Sequence, residues 1–158
     1  EEALPARRSI DPRMMVTGVL TQLLEQLSHR VIGCAIEVHR TLGPGLLESI
    51  YEDALAYEFT EAGIHFHKQI EIAIPYKATI LRGHRLDLII EDSLILELKS
   101  VTAVQDVHRA QLLSDLRATN EPVGLLMNFN VTYLKEGLDR LINGRALSLP
   151  PSSPVPSS

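Results

Sequence analysis

The chain has 158 residues, 45% of them hydrophobic and 22% charged, with a formal net charge of −5. That length suits one domain with a real core, no stretch approaches the ~18 to 20 apolar residues of a membrane span, and the negative balance excludes a general electrostatic pull toward nucleic acid. A lone cysteine, Cys34, excludes an internal disulfide, and with no signal-peptide pattern at the N-terminus the expected compartment is the cytoplasm.

In chain order, residues 1–15 mix Pro, Arg and acids without period and are expected to be a flexible arm, with Met14-Met15 a candidate start. A single domain is expected over 16–146. Leu20, Leu23, Leu24 and Leu27 recur at 3/4 spacing and predict a helix over 16–27. Ser28 is placed as the N-cap of a second helix running to Leu42, with Val31, Ile32, Ala35, Ile36 and Val38 as its core face. Gly43-Pro44-Gly45 breaks the chain before a third helix that ends near Gly63, whose apolar stripe is Leu47, Tyr51, Ala54 and Leu55. Glu48 lies beside that stripe in the first turn, where the helix dipole alone would favour an acid.

The texture then changes from period 3.6 to period 2. Residues 64–74, 79–90 and 93–99 read as three strands joined by short polar connections, an antiparallel meander. Residues 103–119 return to helix, 122–128 form an apolar strand, and 134–143 are expected to be a last helix. The Pro/Ser-rich end, 147–158, has nothing to bury and is expected to be disordered. This order predicts an α/β fold with a central mixed sheet.

The chemistry concentrates in "HRLDLIIEDSLILELKS". By strand alternation, Leu94, Leu96 and Leu98 share one face and Ile95, Glu97 and Lys99 the other; Leu86, Leu88 and Ile90 oppose Arg85, Asp87 and Ile89. Register decides whether the acids meet. A three-residue loop at Glu91-Asp92-Ser93 puts Asp87 opposite Glu97, whereas a two-residue loop puts them on opposite faces. The three-residue reading keeps both aliphatic rows together and is preferred. Two facing carboxylates about 5 Å apart repel unless neutralised. A hard divalent cation, Mg²⁺ or Mn²⁺, suits them, since Mg²⁺ is commonly held by one or two carboxylates with several waters. Lys99, roughly 6 to 7 Å beyond Glu97 on its face, could then orient or deprotonate a water, or stabilise phosphate charge. The ordinary alternative is a solvated, ion-paired strand face.

Several basic residues, Lys68, Lys77, Arg82 and Arg85, fall in one interval with His65, His67 and His84. Scattered solvated charge is the simplest reading. His65 and His67 share a strand face but lack a third ligand. His39 and His108 suit capping or supporting hydrogen bonds.

"GLLESIY", with Gly45, Glu48 and Tyr51, resembles the signature of the GxxExxY protein family. "AIEVHRTLGPGLLESIYEDALAYE" and "LDLIIEDSLILELKSV" followed by "VHRAQLLSDL" are similar to that family too, so the resemblance spans about Ser28 to Asn143. It implies membership of the PD-(D/E)XK nuclease-like superfamily and a restriction-endonuclease-like core of helix, three-stranded antiparallel meander, helix and strand, here with an additional N-terminal and a C-terminal helix. It also implies that Asp87, Glu97 and Lys99 form the D…E-x-K signature, with Glu48 the acid of the preceding helix and Gln111 the glutamine of the following one. Periodicity alone leaves Glu58 as good an inward acid as Glu48. Gln111 shares a small-residue face with Ala103, Val107, Ala110 and Ser114, while Leu112, Leu113 and Leu116 on the opposite face are core or a dimer contact. Asp115 departs from the family, where an aromatic residue is usual. The implied activity is Mg²⁺-dependent hydrolysis of nucleic acid; the competing reading is a nuclease-fold binding or oligomerisation module, a homodimer for instance.

Overall fold

The computed structural model describes the backbone of residues 12–147 and the side chains of residues 18–147. Of the expected N-terminal arm, residues 1–11 lie outside the described residues and 12–15 begin a helix; the expected tail from 148 onward also lies outside them. Helix α1 (Pro12–Leu42) and helix α2 (Glu48–Glu61) precede strands β1 (Phe66–Tyr76), β2 (Thr79–Ile90) and β3 (Leu94–Lys99). Helix α3 (Asp106–Thr119), strand β4 (Val123–Asn128), a 3₁₀ turn at Leu134–Gly137 and strand β5 (Leu138–Ile142) follow.

The five strands form one mixed sheet in the order β1-β2-β3-β4-β5. β1, β2 and β3 are the expected antiparallel meander, α3 carries the chain across to a parallel β4, and β5 returns antiparallel. Helices α1 and α2 cover one face through Val31, Ala35, Tyr51, Leu55 and Phe59 against Leu88, Leu96 and Leu125. Helix α3 covers the other through Leu112 and Leu116 against Ile95 and Leu126. This is an α/β/α sandwich in which β4 as far as Met127 and β3 as far as Leu96 are apolar on both sides, as sheets covered on both faces require. Among the described residues no helix is long and apolar enough to cross a membrane.

Three expectations fail for identifiable reasons. The two helices expected before Leu42 are one helix of 31 residues. The stripe Leu20, Leu24, Leu27, Val31, Ala35, Val38 keeps its 3/4 spacing through Ser28 without a phase change. Ser28 is therefore buried inside the helix, its Oγ without a hydrogen-bond partner, instead of capping it. Leu23 and Ile36, offset from that stripe, are exposed, and so is Leu47, the residue that precedes α2, whose buried stripe is Tyr51, Leu55 and Phe59.

The last expected helix, 134–143, is a 3₁₀ turn followed by β5. Leu134, Leu138 and Leu141 have helical spacing, but residues three apart in a strand lie on opposite faces. Leu138 packs on the α1/α2 side and Leu141 on the α3 side, so a sheet covered twice mimics a helical stripe. Gly137 makes the entry possible: a Cβ there would overlap the main-chain carbonyl of Asn128. Gly137→Ala is expected to cost about 2–3 kcal/mol by forcing two backbones apart. Urea unfolding would measure it, and an unchanged midpoint would show that the turn yields freely.

The third failure is within β2. Leu86, expected beside Leu88 and Ile90, packs with α3, whereas those two pack with α1 and α2. The pairing of β1 with β2 lapses at the rung of Gln69 opposite Asp87, where Gln69 adopts a left-handed φ of 51°, and its register slips again between Ile72 and Ile74. The ribbon turns over there, so that Ile72 and Leu86 just beyond it pack with α3.

Candidate active site

That turned rung is where the acids gather. Ile90 pairs with Leu94 and Leu88 with Leu96, so Glu91-Asp92-Ser93 is a three-residue connection and the next rung is Asp87 opposite Glu97. The ladder between β2 and β3 opens at this rung. The Leu98 N–H that loses a strand partner donates instead to Asp87 Oδ2 at 2.8 Å. Asp87 thus satisfies backbone on the opposite strand, which holds its carboxylate at the sheet beside Glu97.

The environment opposes the second charge. The Glu97 carboxyl is pushed up to about 8, first by burial, then by Asp87 and by Asp115 of α3; Lys99 pulls it down least. By alternation with Ile95, Glu97 and Lys99 face α3. Asp115 is buried there and hydrogen-bonded to His84 Nε2 at 2.6 Å. Burial raises its pKa against the lowering effect of His84.

The helix signature has a structural explanation. The Tyr51 hydroxyl donates to the Gly43 carbonyl at 2.6 Å and accepts from the Leu46 N–H at 3.2 Å, while its ring stacks on Phe129 at 4.4 Å. Gly45, at φ +98°, lets the chain turn into α2. The loop is also tied to the end of β3, since Ser100 Oγ donates to the Leu46 carbonyl at 2.7 Å and the Ser100 N–H to Glu48 Oε1 at 3.3 Å. Glu48 therefore touches the residue after Lys99, at an exposed position.

Glu52, one turn after Glu48, lies nearer Asp87 in effect. Its Oε2 accepts from Gln69 Nε2 at 2.8 Å, and its pKa is raised by burial first and by the Asp87 charge as well. The sequence offered a signal for it, an acid four residues beyond Glu48 on one helix face. Glu58, the alternative to Glu48, instead acts on Cys34 of α1, whose thiol it helps push up after burial does.

Gln111 is exposed, and its neighbours Val107, Ala110 and Ser114 are exposed too. The small-residue face of α3 points outward, and Leu112 with Leu116 is the core face. Leucines take the sheet because burial is driven by apolar area, not by closeness of approach. The loop after β3 is fixed by Asn128, missed by sequence reasoning, which bonds both Val101 backbone groups. Beyond that loop is an open cavity of about 530 Å³ lined by Ser100, Thr102, Gln105, His108 and Asn130. His39 bonds the Val131 carbonyl and His108 Nδ1 caps the start of α3, the supporting roles expected of them. His67 lies 3.8 Å from Asp92, on the surface.

Among the described residues no group of three or more His, Cys, Asp or Glu side chains is gathered tightly enough to hold an ion by itself. The donor set nearest to one is the Asp87–Glu97 pair. Two hard oxygen donors with open positions for water suit Mg²⁺, which rarely takes an all-protein cage. Asp87→Asn is expected to leave the metal-free melting temperature equal or higher, because asparagine Oδ1 still accepts from Leu98 while a charge beside Glu97 disappears. Any Mg²⁺- or Mn²⁺-induced rise should shrink. A large loss in metal-free buffer would mark Asp87 as half of a structural ion pair instead.

An α/β/α sandwich built on a three-stranded meander, a helical crossover and a parallel fourth strand is consistent with a restriction-endonuclease-like fold. The family model of the PD-(D/E)XK nuclease superfamily matches residues 25–141, and the chain belongs to that superfamily. No curated protein and no solved structure matches it.

Proposed function

We propose that this protein is a divalent-metal-dependent nuclease, and within its superfamily a GxxExxY protein on the signature Gly45, Glu48, Tyr51. The observation that carries the proposal is the Asp87–Glu97 rung, where a carboxyl pushed up to about 8 stands beside a second acid. Such a pair gains most from a cation. Asp87 and Glu97 would hold Mg²⁺ or Mn²⁺, with Glu48 and Glu52 adding negative field from α2. Bound there, the ion supplies charge neutralisation at the phosphoryl group and lowers the barrier to attack by water. Lys99 would position that water or stabilise the developing phosphate charge. Gln111, exposed on α3, is left a role at the substrate and not in the ion's support.

The second reading, a nuclease-fold binding module without turnover, is favoured by the absence of a three-ligand cluster among the described residues. Cleavage of single- and double-stranded DNA and RNA with Mg²⁺ or Mn²⁺ decides between them. Activity in the wild type and none in Glu97→Ala supports the nuclease. Unchanged activity in Glu97→Ala points to a contaminant, and no wild-type cleavage of any substrate, alongside metal-independent binding, establishes the module.

A further inference from the structure

Beyond the Asp87 rung, β1 and β2 run on as a two-stranded ribbon without β3, from the pair Ile70–Leu86 to the pair Tyr76–Thr79. Seven residues of extended chain make this arm roughly 23 Å long. Its base is held by α3, through the cluster of Ile72, Leu86, Leu112 and Leu116 and the His84–Asp115 bond. Its outer part is bare: from Ala73 to Gly83 every residue except half-buried Ile74 is exposed. Tyr76, Ile80 and Leu81 remain 53%, 55% and 49% exposed.

The arm also inverts the sign of the molecule. A chain of net charge −5 places Lys77, Arg82 and Arg85 here against a single acid, Glu71, whose Oε1 is taken by the Gly83 N–H. None of the three cations is in an ion pair among the described residues, a property they share with Arg117 and Lys135 off the arm; what sets the arm apart is three cations against one acid. Lys77 lies over the Tyr76 ring and Arg85 bonds the Gln69 carbonyl.

Two occupants could cover such a ribbon, a second copy or a polyanion. A symmetric dimer sets the same patch against itself, so the three cations would meet their own equivalents. A B-form DNA duplex offers phosphates to the cations and a major groove that admits a two-stranded ribbon. We propose that the outer β1–β2 ribbon is a DNA-binding arm. Lys77, Arg82 and Arg85 hold phosphates, Tyr76 and Leu81, which share a face of the ribbon, lie against the groove, and duplex held along the arm runs toward Asp87 and Glu97. The proposal rests on nucleic acid being the substrate class but needs no turnover.

The test is fluorescence anisotropy of a short labelled DNA duplex with the full chain in EDTA and again in Ca²⁺. The double variant Lys77→Gln/Arg82→Gln is compared with Arg117→Gln/Lys135→Gln, an equal charge change at exposed sites off the arm. Each lost phosphate contact should weaken binding roughly tenfold at about 0.1 M salt, and the arm variant should lower the slope of log K against log salt by about two. The off-arm variant should bind nearly as wild type. Equal losses in both variants would reduce the arm to general charge and overturn the proposal. So would an absence of wild-type binding in both buffers, or binding to an RNA duplex as tight as to DNA, because the A-form major groove is too narrow for the ribbon. A dimer in sedimentation that dissociates on Tyr76→Ser/Leu81→Ser would assign the arm to a second copy instead. Cleavage that survives in the arm variant with binding unchanged defeats the arm alone; binding without cleavage defeats the nuclease alone.

Discussion

Replacing Lys99 with alanine is expected to cut metal-dependent phosphodiester cleavage about 10²- to 10³-fold, the scale of losing one preorganised electrostatic contact. Metal affinity should hardly move. Lys99 follows Glu97 by two residues on the face toward α3, yet its pull on the Glu97 carboxyl is the weakest of the influences there. On the proposed reading the ammonium acts on water or phosphate. Initial rates and calorimetric titration with Mn²⁺ separate the two properties. A parallel loss of rate and affinity would show that Lys99 serves the ion's site and not the chemistry.

Stability should fall as pH rises across the neutral range, and Glu97→Gln should abolish most of that fall. In the unfolded chain Glu97 titrates near 4.5, and in the fold near 8. Below pH 4.5 both states are protonated and nothing is lost. Between those values the native state binds the extra proton, so each unit of pH costs up to about 1.4 kcal/mol. Above 8 the loss is complete. The ceiling is about 5 kcal/mol, and coupling to Asp87 with partial solvent access brings the expected difference at pH 9 to about 2–4 kcal/mol in favour of the glutamine variant. Near pH 4.5 the two proteins should be equally stable. Glu52, Asp115 and Glu121 are shifted in the same direction, so the difference between variant and wild type isolates Glu97. Mg²⁺ should restore the wild type at high pH and leave the variant unmoved. Parallel pH curves would mean that Glu97 is solvated and the site is not desolvated at all.

Much of this site could be read from the chain because hairpin parity is unforgiving. Only a three-residue connection at Glu91-Asp92-Ser93 brings Asp87 and Glu97 to one rung, and the aliphatic rows of β2 and β3 select it. The meander, the α3 crossover and β4 followed from the change of period. What escaped the pattern is equally physical. Period 2 cannot announce that β2 turns over at Asp87, because that depends on Gln69 adopting a left-handed φ in the neighbouring strand. Leucines three and four apart do not distinguish a helix from a strand covered on both faces, hence β5. Asp115 looked like a local oddity until its partner His84, far away in sequence, was brought beside it. The sequence left open whether Leu112, Leu113 and Leu116, opposite Gln111, were core or a dimer contact, and leucine area decided how α3 sits.

The order of the strands in space repeats their order in the chain. Every antiparallel pairing therefore closes a short loop, and only the α3 crossover asks for a long one. Asp87 and Glu97 belong to a single tight hairpin, an element that can close in microseconds. The two carboxylates meet while still in water, where their repulsion is cheap. It becomes costly only when α3 docks and carries Asp115 onto them. Because the electrostatic cost arrives late, relieving it should be felt chiefly on the way out of the native state. Glu97→Gln should slow unfolding much more than it speeds refolding, a partition that stopped-flow chevrons would display directly.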